Sequence, residues 1–257
     1  DNYDNDFSGP WWKVGTQYLG ANGRVYSWEH KDFERHKDFN NLEYLTEGFS
    51  ERVNLYAPFS TELSLETELL YQKNDYLIKD DKIDQEFLIT GLKLNYLKDS
   101  TSIIKAEYGI SLDENPTNFQ KIAFRWNKIS PINDDKLIYS LKGGVASNDT
   151  PINFKPKVGG YSEIPLRGHN YELAVTSYLT GDLEYHKPVF TKDLWAIVFI
   201  DSGKIVIDED KFSEIDWVLD GGFGLAYDTF LGPVRADVGF DLLDSNTTFN
   251  LTLGHTY

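Results

Sequence analysis

Apolar and polar residues alternate with a period of two along most of the chain. In residues 61–71 (TELSLETELLY), Leu63, Leu65 and Leu69 are separated by polar residues that include Glu66 and Glu68. A strand with one wet face and one apolar face produces this pattern, whereas a helix would spread the glutamates around its circumference. The same alternation predicts further strands at residues 88–96, 104–112, 120–126, 137–145, 171–186, 194–203, 217–228, 234–242 and 249–257.

A Gly-rich loop, residues 159–172 (GGYSEIPLRGHNYE), interrupts the predicted strands. Five strands follow its tip. About seven precede it, the least defined lying between residues 11 and 59. Short polar turns link the last strands, and no Pro/Gly/Ser-rich linker divides the chain. We therefore predict a single domain over residues 1–257.

Two all-β architectures are compatible with such strands. A soluble antiparallel sandwich also alternates, because one face of each of its sheets is wet. Its strands usually have about 5–6 residues, whereas predicted strands such as residues 171–186 are long enough to cross a bilayer at a tilt. The pattern therefore favours a transmembrane antiparallel up-and-down β-barrel with about 12 strands visible, an even number as bacterial barrels prefer.

Composition narrows the function classes. The formal net charge of −16 would repel a phosphate backbone, so nucleic acid is not an expected partner. The chain has no cysteine, which excludes disulfides and Cys-based metal or redox sites. It has no apolar run of about 18 residues, which excludes a transmembrane helix. It also lacks methionine and a visible signal peptide, as a processed or trimmed chain would.

Neither a metal site nor an enzyme is predicted. His30 and His36 share one face of a strand, but their Cα atoms would be about 20 Å apart, too far to hold one ion. The chain has no Gly-x-Ser-x-Gly elbow, no phosphate-binding loop and no cysteine nucleophile. We expect no cofactor, and we interpret the many carboxylates as charges of a barrel interior and of loops.

The last strand has the pattern of a sorting signal. It places Phe249, Leu251, Leu253, His255 and Tyr257 on one face and ends on an aromatic residue. This resembles the C-terminal recognition signal of bacterial outer-membrane barrels. The alternative is an ordinary edge strand. The resemblance implies a location in the outer membrane, contact with its lipids, and recognition by the barrel-assembly machinery.

Four motifs occur in the same order as in a known family. The loop contains LRGH at 166–169, and GDLEYHKP at 181–188, FIDSG at 199–203 and YDTFLGPVRADVGFDL at 227–242 follow it. They resemble the translocator barrels of the bacterial surface antigen or BamA-type superfamily, which includes two-partner secretion transporters and patatin-type autotransporter barrels. The resemblance covers residues 136–257 well and the N-terminal half only by its strand pattern. It implies about 16 strands, more than the chain supplies.

The resemblance and strand parity together predict a loop lock inside the barrel. Glu184 and Asp201 lie at inward positions of consecutive strands. Arg167, at the loop tip, is always ionised and offers a planar fork that suits carboxylates. We expect charge-assisted bonds from Arg167 to Asp201 or Glu184 to hold the loop. The alternative is that Arg167 belongs to an exposed turn and that both carboxylates are merely solvated.

Four other residues complete the predicted lock. Gly168 supplies the small size that a tight loop tip needs, Phe199 is expected to pack beside the tip, and Gly203 is expected to leave room for it. His169 occupies a position where the family commonly has an aromatic residue, so we expect docking to respond to pH near about 6.5.

The function implied by the resemblance is a translocator for insertion or secretion of polypeptide at the outer membrane. Upstream POTRA modules would mark an assembly or secretion factor, and an upstream patatin-like lipase would mark an autotransporter anchor, to which the small barrel inclines the prediction. We expect such periplasmic or passenger domains to lie outside this chain. Expected partners are polypeptide cargo or a fused passenger and, in a homodimer, a second copy. The alternatives are a passive structural anchor or pore, and a soluble β-protein.

Overall fold

The segments in which apolar and polar residues alternate form strands in the part of the chain that the computed structural model describes. The described residues are 12–14, 23–37, 43–78, 81–113, 117–159, 164, 166–169, 173–207, 217–230, 232–243 and 246–254, with side chains at 52–73 and from 84 onward. Within these residues the fold is all-β, and no helix is long and apolar enough to cross a membrane.

The first of two compact units consists of Asp1–Leu94 and Lys105–Gln120. Antiparallel pairing in it follows chain order from the first strand to the fourth. Its strands are β1 (Trp12–Val14), β2 (Gly23–Lys37), β3 (Glu43–Pro58), β4 (Leu63–Ile78) and most of β5 (Asp81–Leu97) and β6 (Thr101–Ser111).

The second unit consists of Asn95–Ile104 and Lys121–Tyr257, and it contains every residue of the predicted loop lock. Its strands include most of β7 (Phe119–Ile132), β8 (Asp135–Ala146), β9 (Lys157–Val158), β10 (Leu173–Ala174), β11 (Ser177–Pro188), β12 (Leu194–Val206), β13 (Val218–Thr229), β14 (Gly232–Asp241) and β15 (Thr247–Leu253). In the main sheet β8 pairs with both β7 and β11, and the remaining strands follow in chain order to β15. Strands β9 and β10 form a separate two-stranded sheet.

The prediction of an all-β, antiparallel up-and-down fold is confirmed. Among the described residues, five long strands follow the loop, as predicted, and eight precede it instead of about seven. The additional strand falls in the region before residue 59, where the alternation was least defined.

One predicted strand is wrong in its extent. Residues 171–186 were expected to form one strand, but β11 begins only at Ser177. Before it, β10 belongs to the small sheet, and the N–H of Val175 donates to the carbonyl of Pro156. Leu173 and Val175 are therefore buried within the loop and do not belong to the exposed face of the main sheet. The alternation of apolar and polar residues continues through the break between β10 and β11, so only the backbone pairing shows where β11 begins.

In the second unit the buried and exposed faces have the reverse polarity of those in a soluble protein. The face that is buried carries charged side chains, among them Glu184, Asp201, Asp220 and Arg235. The face that is exposed is apolar, as a lipid-facing surface is. Exposed apolar residues include Leu183, Val198, Ile200, Phe223, Leu225 and Leu251, each between 42% and 60% exposed. Below, these surfaces are called the buried face and the exposed face.

Candidate functional site: the docked loop tip

The loop between β8 and β11 carries its own small core. Its base is the β9–β10 sheet, extended by a bridge between Val158 and Ile164. These residues pack with Leu166, Leu173, Val175 and Tyr178 in one buried cluster, against which Val218 of β13 also packs. The apolar base holds the loop against the sheet, and the polar tip, residues 166–169, turns back on itself through a bond from His169 N–H to the carbonyl of Leu166.

The side chain of Arg167 lies between the two carboxylates predicted for it. Its Nε donates to Asp201 Oδ2 at 2.8 Å, its Nη2 to Asp201 Oδ1, and its Nη1 to Glu184. The guanidinium lies 3.7 Å from the centre of the Phe199 ring, so a cation–π contact adds to the ion pairs. Arg167 is 6% exposed, Glu184 4% and Asp201 1%, so the contacts are shielded from water.

The carboxylates keep Arg167 ionised. Burial lowers the pKa of its guanidinium, but Asp201 and Glu184 outweigh burial, and the pKa is raised above its ordinary value. A charged arginine in a fixed fork geometry makes directional bonds to both carboxylates. The arrangement can therefore fix the loop tip.

A second arginine shares Glu184. Arg235 of β14 donates through Nη1 to Glu184 Oε2 at 2.9 Å and through Nε to Asp237 Oδ2 at 2.7 Å. His186 also contacts Glu184, with Nε2 2.6 Å from Oε2. Glu184 thus keeps partners on the sheet that do not depend on the loop, whereas the side-chain partner of Asp201 is Arg167 of the loop.

The backbone of the tip is bound as well as its arginine. The N–H of Gly168 donates to Asp220 Oδ2 at 2.7 Å, and the N–H of Arg167 donates to Asp201 Oδ2 at 3.1 Å. A Cβ at position 168 would lie 2.6 Å from both Asp220 Oδ1 and the backbone nitrogen of Asp241. Glycine is therefore required at this position by the closeness of the sheet.

His169 lies between two carboxylates. Its Nδ1 is 3.2 Å from Asp220 Oδ2, and its Nε2 is 3.4 Å from Asp241 Oδ2. Among the described residues, these three side chains bring ligand atoms within 4.8 Å of one another, as a metal site requires. The two ring nitrogens face different carboxylates, however, which suits an imidazolium between two anions better than a shared ion.

Four aspartates form a row across the buried face. Register pairs link one residue from each of four neighbouring strands: Asp182, Asp201, Asp220 and Asp241. Like charges directly opposite each other in a sheet are unfavourable. The last three are at most 3% exposed, so solvent screens them little. The loop tip sets its guanidinium, two N–H groups and the imidazole against this row, and the row therefore favours docking of the tip.

A parallel row receives the carbonyl of Arg167. It consists of Glu184, Phe199, Gly222, Gly239 and Thr248, paired in register across β11 to β15. A Cβ at Gly239 would lie 2.5 Å from the carbonyl carbon of Arg167. The oxygen accepts a hydrogen bond from the hydroxyl of Thr248 and one of 3.4 Å from Asn250 Nδ2. Arg167, Gly168 and His169 of the tip thus touch side chains or backbone of all five strands that follow the loop.

The surroundings of Gly203 differ from the prediction, whereas the described part of the C-terminal strand agrees with it. Gly203 was expected to leave room for the loop, but the space beside it is filled by Thr180 of β11, whose Cγ2 would lie 2.7 Å from an added Cβ. In the C-terminal strand, Phe249, Leu251 and Leu253 lie on the exposed face as predicted, at 65%, 58% and 50% exposure. His255 and Tyr257, also predicted for that signal, lie outside the described residues.

Several contact residues of the tip were missed by the sequence reasoning. They are Asp220, Gly239, Asp241, Thr248 and Asn250; three residues of the ion cluster around Glu184, namely His186, Arg235 and Asp237, were missed as well. A signal for most of them exists, because charged or polar residues recur at alternate positions of the last three strands. Parity could have assigned them to the polar face. It could not have shown which of them the loop reaches.

Comparisons with known proteins agree on the fold. No family model matches the chain, and no curated protein matches it in sequence. Among solved structures it is similar to BamA from Haemophilus ducreyi lacking POTRA domains 1–3, with a TM-score of 0.67 and 12% identity over 88% of this chain and 57% of that one. It is also similar to CdiB from Acinetobacter baumannii, with a TM-score of 0.61 and 13% identity over 90% of this chain and 46% of that one. For CdiB from Escherichia coli the values are 0.57 and 11%, over 91% and 47%.

These likenesses confirm the predicted resemblance to BamA-type barrels at the level of the fold. The chain spans about half the length of the solved structures that it matches. With 11–13% identity the similarity lies in the path of the strands and carries no residue-level equivalence.

The position of His169 predicts a pH dependence specific to this chain. A neutral imidazole donates from only one nitrogen, so contact with both Asp220 and Asp241 favours the doubly protonated ring. This contribution is present below about pH 6.5 and is lost as the pH rises. Between about pH 5 and pH 8 we expect wild type to lose about 1–2 kcal/mol of folding free energy relative to His169→Phe, because each pH unit above about 6.5 contributes at most about 1.4 kcal/mol. Urea unfolding of both proteins across this range is the measurement, and parallel pH profiles would contradict the prediction.

Proposed function

We propose that the chain is the translocator barrel of an outer-membrane protein that inserts or secretes polypeptide, with the tip of the loop bound inside the barrel. The observation that carries this proposal is the ion cluster of Arg167 with Glu184 and Asp201. Burial of an arginine and two carboxylates costs desolvation free energy. We therefore do not expect such a cluster in a barrel that serves only as a passive anchor or pore. The BamA-type fold and the apolar exposed face support a membrane location.

In the proposed mechanism, the docked tip fixes the strands that follow the loop, and the outer edge of β15, the last strand in the order of the sheet, offers a seam at which a further strand can pair. An unpaired strand edge presents N–H and C=O groups that can pair with an incoming strand. Release of the tip would loosen the seam, and docking would restore it. The chain acts as one translocator domain in this proposal, and its finer form is the anchor of a patatin-type autotransporter.

Fractionation tests the barrel first. We express the chain behind an outer-membrane signal and compare heated with unheated migration on a gel. The expected result is a band in the outer-membrane fraction that migrates differently before and after heating, because folded barrels resist unfolding in detergent until heated. A soluble band with unchanged migration would overturn the barrel and with it the proposed function.

Export tests the translocator role separately. An epitope-tagged passenger is fused ahead of Asp1, and its exposure at the cell surface is measured by protease accessibility in intact cells. We expect exposure with wild type and a severalfold loss with Arg167→Ala, at equal amounts of heat-modifiable barrel. Ion conductance of the reconstituted barrel together with export that does not respond to Arg167→Ala would instead identify a passive pore or anchor.

A further inference from the structure

The last strand of the sheet is bound to the loop tip by contacts that the predicted lock does not include. Strand β15 pairs with β14 and is the last strand in the order of its sheet. Its side chains alternate, with Phe249 and Leu251 exposed and Thr248 and Asn250 each 6% exposed on the buried face. The buried pair faces the backbone of the tip and not its arginine side chain.

The contact depends on a position without a side chain in the neighbouring strand. Gly239 of β14 is the register partner of Thr248. Because Gly239 has no side chain, the carbonyl of Arg167 reaches the sheet surface there and accepts the hydroxyl of Thr248. Asn250 Nδ2 adds a bond of 3.4 Å to the same oxygen and lies 3.5 Å from Thr248 Oγ1. The carbonyl is thus bound from two successive inward positions of one strand.

The same residue therefore binds opposite parts of the second unit's sheet. The guanidinium of Arg167 is bound by Glu184 of β11 and Asp201 of β12, while its carbonyl is bound by β15. Strands β13 and β14 lie between them. Since β15 is the shortest of the five strands after the loop and pairs, among the described strands, with β14 alone, contacts on its buried face contribute a large share of its order.

We propose that Thr248 and Asn250 are positioning residues that couple docking of the loop tip to the order of β15, so that release of the tip frees this strand for pairing with an incoming β-strand. The partner is an extended polypeptide segment, recognised through backbone hydrogen bonds at the strand edge. This inference rests on the proposed function for the identity of the partner. The coupling itself concerns only the loop and the strand.

Hydrogen exchange of the full chain in detergent, followed by mass spectrometry, tests the coupling. Thr248→Val removes the hydroxyl at nearly constant shape, and we expect the amides of residues 247–253 to exchange about five- to tenfold faster. Thr248→Ser keeps the hydroxyl and should restore slow exchange. Heat-modifiable migration of every variant confirms that the barrel has folded.

The chain offers a matched control in the same strand. Thr252 lies four residues further along the same face of β15, and its Oγ1 is buried with no hydrogen-bond partner among the described residues. Thr252→Val makes the same chemical change without removing a bond to the loop, and should leave exchange of β15 unchanged. Equal exchange in Thr248→Val, Thr252→Val and wild type would overturn the coupling.

A double substitution tests whether the effect passes through the tip. Arg167→Ala should also accelerate exchange in β15, although the side chain that it removes does not reach that strand. Adding Thr248→Val should then have little further effect, because the carbonyl has already left. Independent, multiplicative effects would overturn the coupling. Since the readout does not depend on export, a passive pore with coupled exchange would refute the proposed function while leaving the coupling intact.

Discussion

Arg167→Ala is expected to destabilise the folded chain by about 3–5 kcal/mol, because it removes the guanidinium that is bonded to the buried carboxylate of Asp201. Glu184 retains Arg235 and His186, so the loss should fall mainly on Asp201 and on the row of aspartates beside it. Urea unfolding of the chain refolded in detergent measures the free energy. Chymotrypsin measures loop release, since its preferred aromatic sites flank the tip and do not depend on the arginine.

Three further variants separate charge from fold. Arg167→Lys keeps the charge but loses the planar fork, and we expect a smaller loss. Asp201→Asn added to Arg167→Ala should recover at least about 1 kcal/mol, because it removes the uncompensated charge. Lys73→Ala breaks a half-exposed pair with Glu86, 44% and 33% exposed, and should cost less than about 1 kcal/mol. If Arg167→Ala cost no more than Lys73→Ala, the ion cluster would not hold the loop.

The fold was largely predictable because a strand in a one-sided sheet repeats every two residues. Parity alone assigned Glu184 and Asp201 to the same face of consecutive strands, and the structure brings Arg167 to both. Four of the five strands after the loop were predicted to within a few residues for the same reason, and the first of the five begins at Ser177 instead of residue 171. The failure at Val175 shows the limit, because an apolar residue inside a packed loop has the same hydropathy as one facing lipid.

The rest of the site depends on register, which a strand pattern does not contain. One row contains Asp182, Asp201, Asp220 and Asp241 because the turns of the intervening hairpins set the register of each strand pair. A shift of one residue in any hairpin would move an aspartate to the opposite face. The functional role of the predicted lock residues stays a prediction, and the variants of Arg167 are its test.

Gly239→Ala is expected to release the loop tip without changing any charge. The added methyl group would lie 2.5 Å from the carbonyl carbon of Arg167 and 3.0 Å from the nitrogen of Gly168, so it meets backbone that cannot rotate away. We expect a loss of about 3 kcal/mol or more, and cleavage of the loop by chymotrypsin as fast as in Arg167→Ala. The strand itself should persist, because alanine is favoured over glycine within a strand by about 0.5–1 kcal/mol.

Gly181→Ala is the matched control for this prediction. Gly181 lies in the same sheet, in β11, and a Cβ there would be 3.6 Å from the carbonyl of Ser140 and 3.8 Å from Leu141, which is ordinary contact. The control should keep the loop protected and the stability unchanged or slightly raised. A protected loop in Gly239→Ala would mean that the tip docks without the close approach of its carbonyl to β14. Release in Gly239→Ala with protection in Gly181→Ala would show that docking depends on backbone fit as much as on the charge of Arg167.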